Sequence, residues 1–204
     1  MTRFLPGILA MAAVVLASNI LVQFHLGNFI TGGTLTYPLA FLVTDVMNRV
    51  YGASAARRVV LAGFIFGVIA SLVAAGFGQT TLRIAIASGT AFLIAQLTDV
   101  AVFDRLRARA KWWQAPLTSS VVGSALDTAL FFSIAFSTTF AFIDPAADTA
   151  WATEMVPLLD FGPSAPFWAS LGLADWLVKM AMAALSLVPF RMIVQYLTTP
   201  RQAA

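Results

Sequence analysis

The sequence predicts an all-α, polytopic membrane protein that forms one transmembrane domain across residues 1–204. Hydrophobic residues make up 60% of the chain and charged residues only 10%, too little charge to cover the surface of a soluble domain. The apolar residues fall into segments of about 20 residues, the length of a helix that crosses a bilayer. The basic residues cluster between these segments, as they do in the cytoplasmic loops of membrane proteins.

Six apolar segments can be drawn, and each is expected to be a transmembrane helix. They are residues 6–24, 34–50, 59–77, 84–103, 118–143 and 167–194. The first follows a basic residue and resembles a secretory signal peptide, but its apolar run continues to Phe24, so we expect an uncleaved helix. The second has a short apolar core and opens at Pro38, a residue that suits the first turn of a helix. This segment either crosses the membrane fully or forms a re-entrant half-helix that lines a cavity.

The later segments carry features that predict how they pack. Gly63 and Gly67 give the third span a face of small residues, which favours close contact with another helix. The loop after the fifth span is rich in proline, so we expect it to be irregular and to cap the outer mouth. Trp112, Trp113 and Trp151 fall near the ends of predicted spans, where indole rings settle at the membrane interface.

The distribution of basic residues predicts the orientation. With a cytoplasmic amino terminus, six spans place ten of the twelve lysines and arginines on one side. These are Arg3, Arg49, Arg57, Arg58, Arg105, Arg107, Arg109, Lys111, Arg191 and Arg201. The opposite side keeps only Arg83, and Lys179 lies inside the sixth span. The positive-inside rule therefore predicts cytoplasmic amino and carboxyl termini.

A short sequence echo links the second and fourth spans. Thr44-Asp45-Val46 follows an Ala-Phe-Leu run, and Thr98-Asp99-Val100 follows another, although the spacing differs by three residues. Transporters are often built from internal repeats. The echo favours such a construction without establishing it.

Ionisable residues inside the spans are the candidate functional groups, because a charge near the bilayer centre costs at least about 2.5 kcal/mol. Asp175 and Lys179 are four residues apart and share a helix face, so they form either a self-neutralising structural pair or a coupling or gating site. Asp45 has Arg49 four residues later. A local ion pair would explain Asp45, and a coupling or gating role is the alternative.

Two other carboxylates are expected to bind a solute. Asp127 has no lysine or arginine within one helical turn, and an unpaired carboxylate in a membrane favours a functional role. Asp99 shares a helix stripe with Phe92 and Gln96. A carboxylate and an amide beside an aromatic ring suit a planar heterocycle, since the edge of a guanine-like base can donate two hydrogen bonds to one carboxylate.

Several classes of function are disfavoured. The chain has no cysteine and a single histidine, and we expect no cofactor and no metal site. It has no Gly-Lys-Ser/Thr phosphate loop, no His-Glu-x-x-His pair and no Gly-x-Ser-x-Gly elbow, so we expect it not to be an enzyme. Its net charge of +3 reflects the loop arginines and predicts no nucleic-acid partner.

Four segments together resemble the bacterial queuosine-precursor transporter family, earlier described as a vitamin-uptake transporter family. They are YPLAFLVTDVMNRVYG (37–52), AFLIAQLTDVAVFDRLR (91–107), WWQAPLTSSVVGSALDTALFFSIAF (112–136) and DWLVKM (175–180). The resemblance covers the second to sixth spans. It implies a multi-pass carrier of the bacterial inner membrane that imports 7-cyano-7-deazaguanine, and the 7-aminomethyl analogue as a second substrate, for tRNA modification.

For such a purine-like substrate, we expect Asp127 or Asp99 to accept the donor edge of the base. Gln96 and Asn48 would complete the hydrogen bonds, and Phe92 or Phe131 would offer a stacking surface. The lipid bilayer is the expected environment, and assembly into a homo-oligomer is left open. The main alternative is a substrate-binding membrane subunit of an ATP-driven vitamin or nucleobase importer. A membrane enzyme or a scaffold without transport is a third.

Overall fold

The structure is a computed structural model that describes residues 4–199, and it is built almost entirely from helices. The helices are α1 (Leu5–Leu21), α2 (Gly32–Thr36), α3 (Leu39–Tyr51), α4 (Ala53–Gly76), α5 (Leu82–Leu106), α6 (Gln114–Phe136), α7 (Ala150–Thr153) and α8 (Phe167–Thr198). Two short 3-10 helices, Thr138–Ile143 and Leu158–Asp160, lie between α6 and α8. There, β1 (Met155–Pro157) and β2 (Ser164–Pro166) form an antiparallel hairpin. The predicted all-α class is confirmed.

Four of the described helices, α4, α5, α6 and α8, are long and apolar enough to cross a membrane. α1 is a shorter apolar helix of 17 residues. On α4, large apolar side chains such as those of Leu61, Ile65 and Ile69 are about half exposed, as expected where a helix faces lipid chains. The chain is therefore a multi-pass membrane protein. The number of six crossings and the cytoplasmic position of the termini stay predictions.

The predicted second span is broken into α2 and α3 by a turn at Tyr37 and Pro38. Thr31 begins α2 with a reciprocal cap, because its hydroxyl accepts from the Thr34 amide and its own amide donates to the Thr34 hydroxyl. Pro38 is the residue before the first turn of α3. At 1.5 Å per residue, the 13 residues of α3 rise only about 20 Å, which is less than the thickness of the hydrocarbon core.

Side-chain contacts show that α3 and α5 run parallel. Tyr37 packs edge-on against Phe92, and further along both helices Thr44 donates to Gln96 Oε1 at 2.6 Å. Still further along, the Asn48 amide donates to the Val100 carbonyl at 3.0 Å. The two Thr-Asp-Val segments therefore lie side by side.

The small-residue face of α4 packs against α1, as predicted. A Cβ atom on Gly63 would lie 2.4 Å from Met11 Cγ, and one on Gly67 would lie 3.3 Å from Val15 Cγ1. Met11 and Val15 are buried in a core that α1, α3, α4 and α5 share. The glycines thus allow α1 and α4 to approach closely.

The predicted fifth span, 118–143, ends too late. α6 stops at Phe136, and Ser137 has an extended backbone (ψ 139°) before the 3-10 helix. Arg83 is 1% exposed and caps this end, because its Nε donates to the Ile134 carbonyl at 2.7 Å and its Nη2 donates to the Ser137 carbonyl. This arginine therefore satisfies carbonyls that the helix end leaves without partners. The predicted sixth span ends too early, since α8 continues to Thr198.

Candidate functional site

Lys179 lies at the centre of a buried polar network between α6 and α8. Its Nζ donates to Asp127 Oδ2 at 2.6 Å, to the Asp175 carboxylate, and to Thr128 Oγ1 at 3.1 Å. Thr128 in turn donates to Asp175 Oδ2 at 2.8 Å. All four side chains are buried. One ammonium group is thus shared by two carboxylates from different helices.

The same network reaches the break between α2 and α3. The Tyr37 hydroxyl donates to Asp127 Oδ1 at 3.1 Å, and Lys179 Nζ lies 5.5 Å from the centre of the Tyr37 ring. Tyr37 was not among the residues selected from the sequence. Its position beside Pro38, at an interruption of an apolar segment, is the one signal that could have identified it.

The expectation that Asp127 is unpaired is wrong. Lys179 forms an ion pair with both Asp127 and Asp175, and the partner of Asp127 lies 52 residues away on another helix. A search within one helical turn detects Asp175–Lys179 but not this pair. Because two carboxylates share one cation, the network has a formal charge of −1 when all three groups are ionised. Removing Lys179 would leave two uncompensated buried carboxylates, whereas removing one carboxylate would leave a neutral ion pair.

A second polar cluster lies where α3, α5 and α6 meet. Asp45 accepts hydrogen bonds from Ser119 at 3.2 Å and from Ser120 at 3.4 Å. Asp99 has Asp45 and Ser119 as polar neighbours, yet neither of its carboxylate oxygens has a hydrogen-bond partner of good geometry among residues 4–199. Asp99 is fully buried and Asp45 is 2% exposed. Two carboxylates are therefore close together without a basic side chain between them.

The expected Asp45–Arg49 ion pair is also wrong. Arg49 Nη1 instead donates to the Arg107 carbonyl at 2.9 Å, and Arg107 Nη1 donates to the Asn48 carbonyl at 2.8 Å. Both arginines thus bind carbonyl groups near the carboxyl-terminal ends of α3 and α5, where unpaired carbonyls and the helix dipole favour cations.

Gln96 and Asn48 connect α3 and α5, and each keeps one free polar group. The Thr44 hydroxyl donates to Gln96 Oε1, and Asn48 Nδ2 donates to the Val100 carbonyl. Gln96 Nε2 and Asn48 Oδ1 are buried and have no partner within the described part of the chain. One donor and one acceptor are therefore unsatisfied at this helix contact.

The two predicted stacking residues lie in different clusters. Phe92 packs against Tyr37 with ring centres 6.1 Å apart and belongs to the core formed by α1, α3, α4 and α5. Phe131 packs against Phe132 with ring centres 5.1 Å apart and against Phe136. The ring that Phe92 contacts is that of Tyr37, whose hydroxyl donates to Asp127.

Two openings flank the Lys179 network. The first is a pocket between α3, α6 and α8, with a volume of about 10 Å³, which is room for about one water molecule. It is lined by Pro38, Phe41, Leu42, Asp45, Pro116, Ser120, Ser124, Lys179, Ala183, Ser186, Leu187 and Phe190. The second is an open groove of about 270 Å³ between α6 and α8, lined by Thr128, Trp168, Gly172, Trp176 and apolar neighbours. The network therefore separates two openings along the same helix pair.

Fold and site together define a multi-pass membrane protein with paired charges buried between two openings. The chain belongs to the family described as "Putative vitamin uptake transporter", whose sequence profile matches residues 31–194. The matched region runs from the start of α2 into the last turns of α8. The family is one of transporters rather than enzymes, and the family resemblance seen in the sequence is confirmed.

Named relatives are similar over most of the chain. A probable queuosine precursor transporter of Haemophilus influenzae is 37% identical over 174 residues, which are 78% of this chain and 66% of that protein. The queuosine precursor transporter of Escherichia coli is 39% identical over 141 residues, which are 60% of this chain and 64% of that protein. The chain thus spans less than two thirds of the length of these relatives. No solved structure matches the chain at a significant level.

Proposed function

We propose that this protein imports queuosine precursors across the bacterial inner membrane, with 7-cyano-7-deazaguanine as substrate and the 7-aminomethyl analogue as a second one. The names of its relatives support this class of substrate. The observation that carries the mechanism is the Lys179 network, because it joins α6 to α8 between the small pocket and the open groove. Opening one side of such a barrier while the other side stays closed is how alternating access works.

Asp127 is the proposed acceptor for the base. A guanine-like edge presents an amino group and an N1–H, and two such donors match one carboxylate. Asp127 Oδ2 is bonded to Lys179, so the base would replace Lys179 at this oxygen. Lys179 would keep Asp175 as its partner. Substrate binding would then exchange one ion pair for two hydrogen bonds without leaving the ammonium group unpaired.

The rest of the site would come from Tyr37, which contacts Asp127, and from residues predicted on α3 and α5. The Tyr37 side chain contacts Asp127 and its ring packs edge-on against Phe92, and bases stack on such rings with about 1–3 kcal/mol each. Gln96 Nε2 and Asn48 Oδ1 are buried polar atoms without partners in the described residues, and they suit the remaining polar groups of a base. The small pocket has room for about one water molecule. α8 must therefore move relative to α3 and α6 before a base can enter.

The direct genetic test uses a strain that cannot make the queuosine precursor. We expect this chain to restore queuosine in tRNA when the precursor is supplied at low concentration. Asp127→Asn should abolish the restoration, whereas Asp148→Asn should not, because Asp148 lies in the exposed loop before α7 and asparagine keeps the oxygen that accepts from the Ala150 amide. Failure of the unchanged protein to restore queuosine would refute the substrate assignment.

A further inference from the structure

We infer that Asp45 and Asp99 form a binding site for a monovalent cation, either a proton or a sodium ion, separate from the Lys179 network. The inference rests on the proposed transport function and assigns the driving ion of that transport. It moves Asp99 from the set of base-binding residues to the ion site.

The first observation is geometric. The two Thr-Asp-Val segments lie on parallel helices, and their aspartates meet at the contact of α3, α5 and α6. Ser119 donates to Asp45 and lies beside Asp99. On the α6 side the wall is closed, because a Cβ atom on Gly123 would lie 3.2 Å from Asp99 Cβ and 2.7 Å from a Phe41 ring carbon. Asp99 thus lies in a tightly packed helix contact and lines neither of the two openings, so it has no space for a base beside it.

The second observation is the lack of a counter-charge. Neither aspartate forms an ion pair among residues 4–199. The basic side chains of neighbouring helices have other partners, since Lys179 binds Asp127 and Asp175 and Arg49 binds the Arg107 carbonyl. Two adjacent carboxylates cannot both stay ionised in a medium of low dielectric constant without a cation.

The third observation is the state of the Asp99 side chain. It is fully buried, and neither of its oxygens has a hydrogen bond of good geometry in the part of the chain that is described, although Ser119 and Asp45 lie beside it. A buried carboxylate without a well-formed hydrogen bond is unfavourable as an anion unless a proton or another cation joins it. Its oxygens, the neighbouring Asp45 carboxylate and the Ser119 hydroxyl would together bind an occupant that is small and positively charged.

The small pocket between α3, α6 and α8 offers a route to this site. Asp45 lines that pocket together with Ser120 and Lys179, and its neighbour Asp99 does not. The pocket admits about one water molecule, which is enough for a proton carried by water or for a dehydrated sodium ion. Because Lys179 lines the same pocket, neutralising Asp45 and Asp99 changes the charge next to the proposed substrate site. That shared pocket is the physical basis for coupling ion and substrate.

The experiment uses the full chain in liposomes, with labelled 7-cyano-7-deazaguanine and two assays. One assay measures accumulation driven by an imposed proton gradient or an imposed sodium gradient. The other measures exchange of internal and external precursor without any gradient. We expect one of the two gradients to drive accumulation by the unchanged protein, and that gradient identifies the ion.

Asp99→Asn, which mimics a permanently neutral carboxyl group, should lower the accumulation ratio to about one, the value of an uncoupled exchanger, while exchange persists. Persistent exchange by Asp99→Asn would show that this variant is folded. Asp148→Asn serves as the surface control. Accumulation by Asp99→Asn equal to that of the unchanged protein would overturn the ion site. The ion site would also be overturned if the unchanged protein exchanged the precursor but neither gradient drove its accumulation.

Failure of the proposed substrate is distinguishable from failure of the ion site. If the unchanged protein neither binds nor exchanges the precursor, the substrate proposal is wrong, and the ion site is then judged by direct measurement on the purified protein. Radioactive sodium binding, or proton uptake in weakly buffered solution, should be present in the unchanged protein and reduced in Asp99→Asn and Asp45→Asn. Absence of both signals from the unchanged protein would overturn the inference.

Discussion

The Tyr37 hydroxyl donates a hydrogen bond to Asp127 at 3.1 Å, although the two residues are 90 positions apart in the chain. The bond connects the break between α2 and α3 to the ion pairs between α6 and α8. A movement of α6 or α8 would therefore displace the break between α2 and α3, and a movement of the break would displace α6. Irregular backbone at membrane depth is tolerated where it lines a cavity, and here it carries a side chain to the proposed substrate carboxylate.

Tyr37→Phe should weaken precursor binding. The substitution keeps the ring beside Phe92 and removes the hydroxyl that orients Asp127. Loss of such a hydrogen bond costs about 1 kcal/mol, so the dissociation constant should rise about fivefold. Equilibrium binding to the purified protein measures this. Tyr51→Phe is the matched control, because Tyr51 packs against Phe4 at the opposite end of α3 from Tyr37. Unchanged affinity in Tyr37→Phe would contradict a role for the hydroxyl.

Lys179→Met should destabilise the protein strongly. It leaves Asp127 and Asp175 buried next to each other without a cation, and breaking a buried pair in this way costs about 3–5 kcal/mol. Thermal unfolding in detergent should show a large loss of stability. Combining Lys179→Met with Asp127→Asn and Asp175→Asn removes all three charges and should restore much of it, without restoring transport. Equal stability of the single and triple variants would show that the network is not electrostatically coupled.

Asp127→Asn should be more damaging than Asp99→Asn. The first change removes the proposed acceptor of the base but leaves Lys179 paired with Asp175, so the protein should fold and lose both exchange and accumulation. The second change should affect accumulation alone. Side-by-side uptake assays at equal protein levels compare them, and full exchange activity in Asp127→Asn would rule it out as the base acceptor.

Gly63→Ala should destabilise the packing of α1 on α4. Its new Cβ atom would lie 2.4 Å from Met11 Cγ, and overpacking of this kind costs about 1–3 kcal/mol. Gly76→Ala, at the end of the same helix, meets no atom within 4 Å and should be nearly neutral. Melting temperatures of the two variants in detergent provide the comparison. A Gly63→Ala protein as stable as Gly76→Ala would mean that α1 and α4 do not approach this closely.

The orientation can be mapped because the chain has no cysteine. A single cysteine at Ala146, in the exposed loop before α7, should react with a membrane-impermeant maleimide in intact cells. One at Ala108, in the exposed loop after α5, should react only after the cells are broken. Both positions are exposed, so access depends on the side of the membrane. The reverse pattern would place the termini outside.

The sequence predicts the helices well and their long-range contacts poorly. Apolar segments of membrane length identify α1, α4, α5, α6 and α8, because the bilayer imposes a length on a helix that crosses it, whereas the segment 34–50 is divided between α2 and α3. The Asp175–Lys179 contact follows from i,i+4 spacing. The Asp127–Lys179 and Asp45–Asp99 contacts depend on which helices are neighbours, and one sequence contains no such information. The predicted Asp45–Arg49 ion pair was wrong because Arg49 binds the carbonyl of Arg107 at the end of α5 instead, and this neighbour is also not evident from the sequence.

The most direct test of the account is uptake by the purified protein in liposomes without ATP. Labelled 7-cyano-7-deazaguanine should enter in a saturable manner when the protein is unchanged. The signal should disappear in Asp127→Asn and persist in Asp148→Asn. This result would also exclude a protein that works only as a subunit of an ATP-driven importer. No uptake by the unchanged protein, or undiminished uptake by Asp127→Asn, would contradict transport through the Lys179 network.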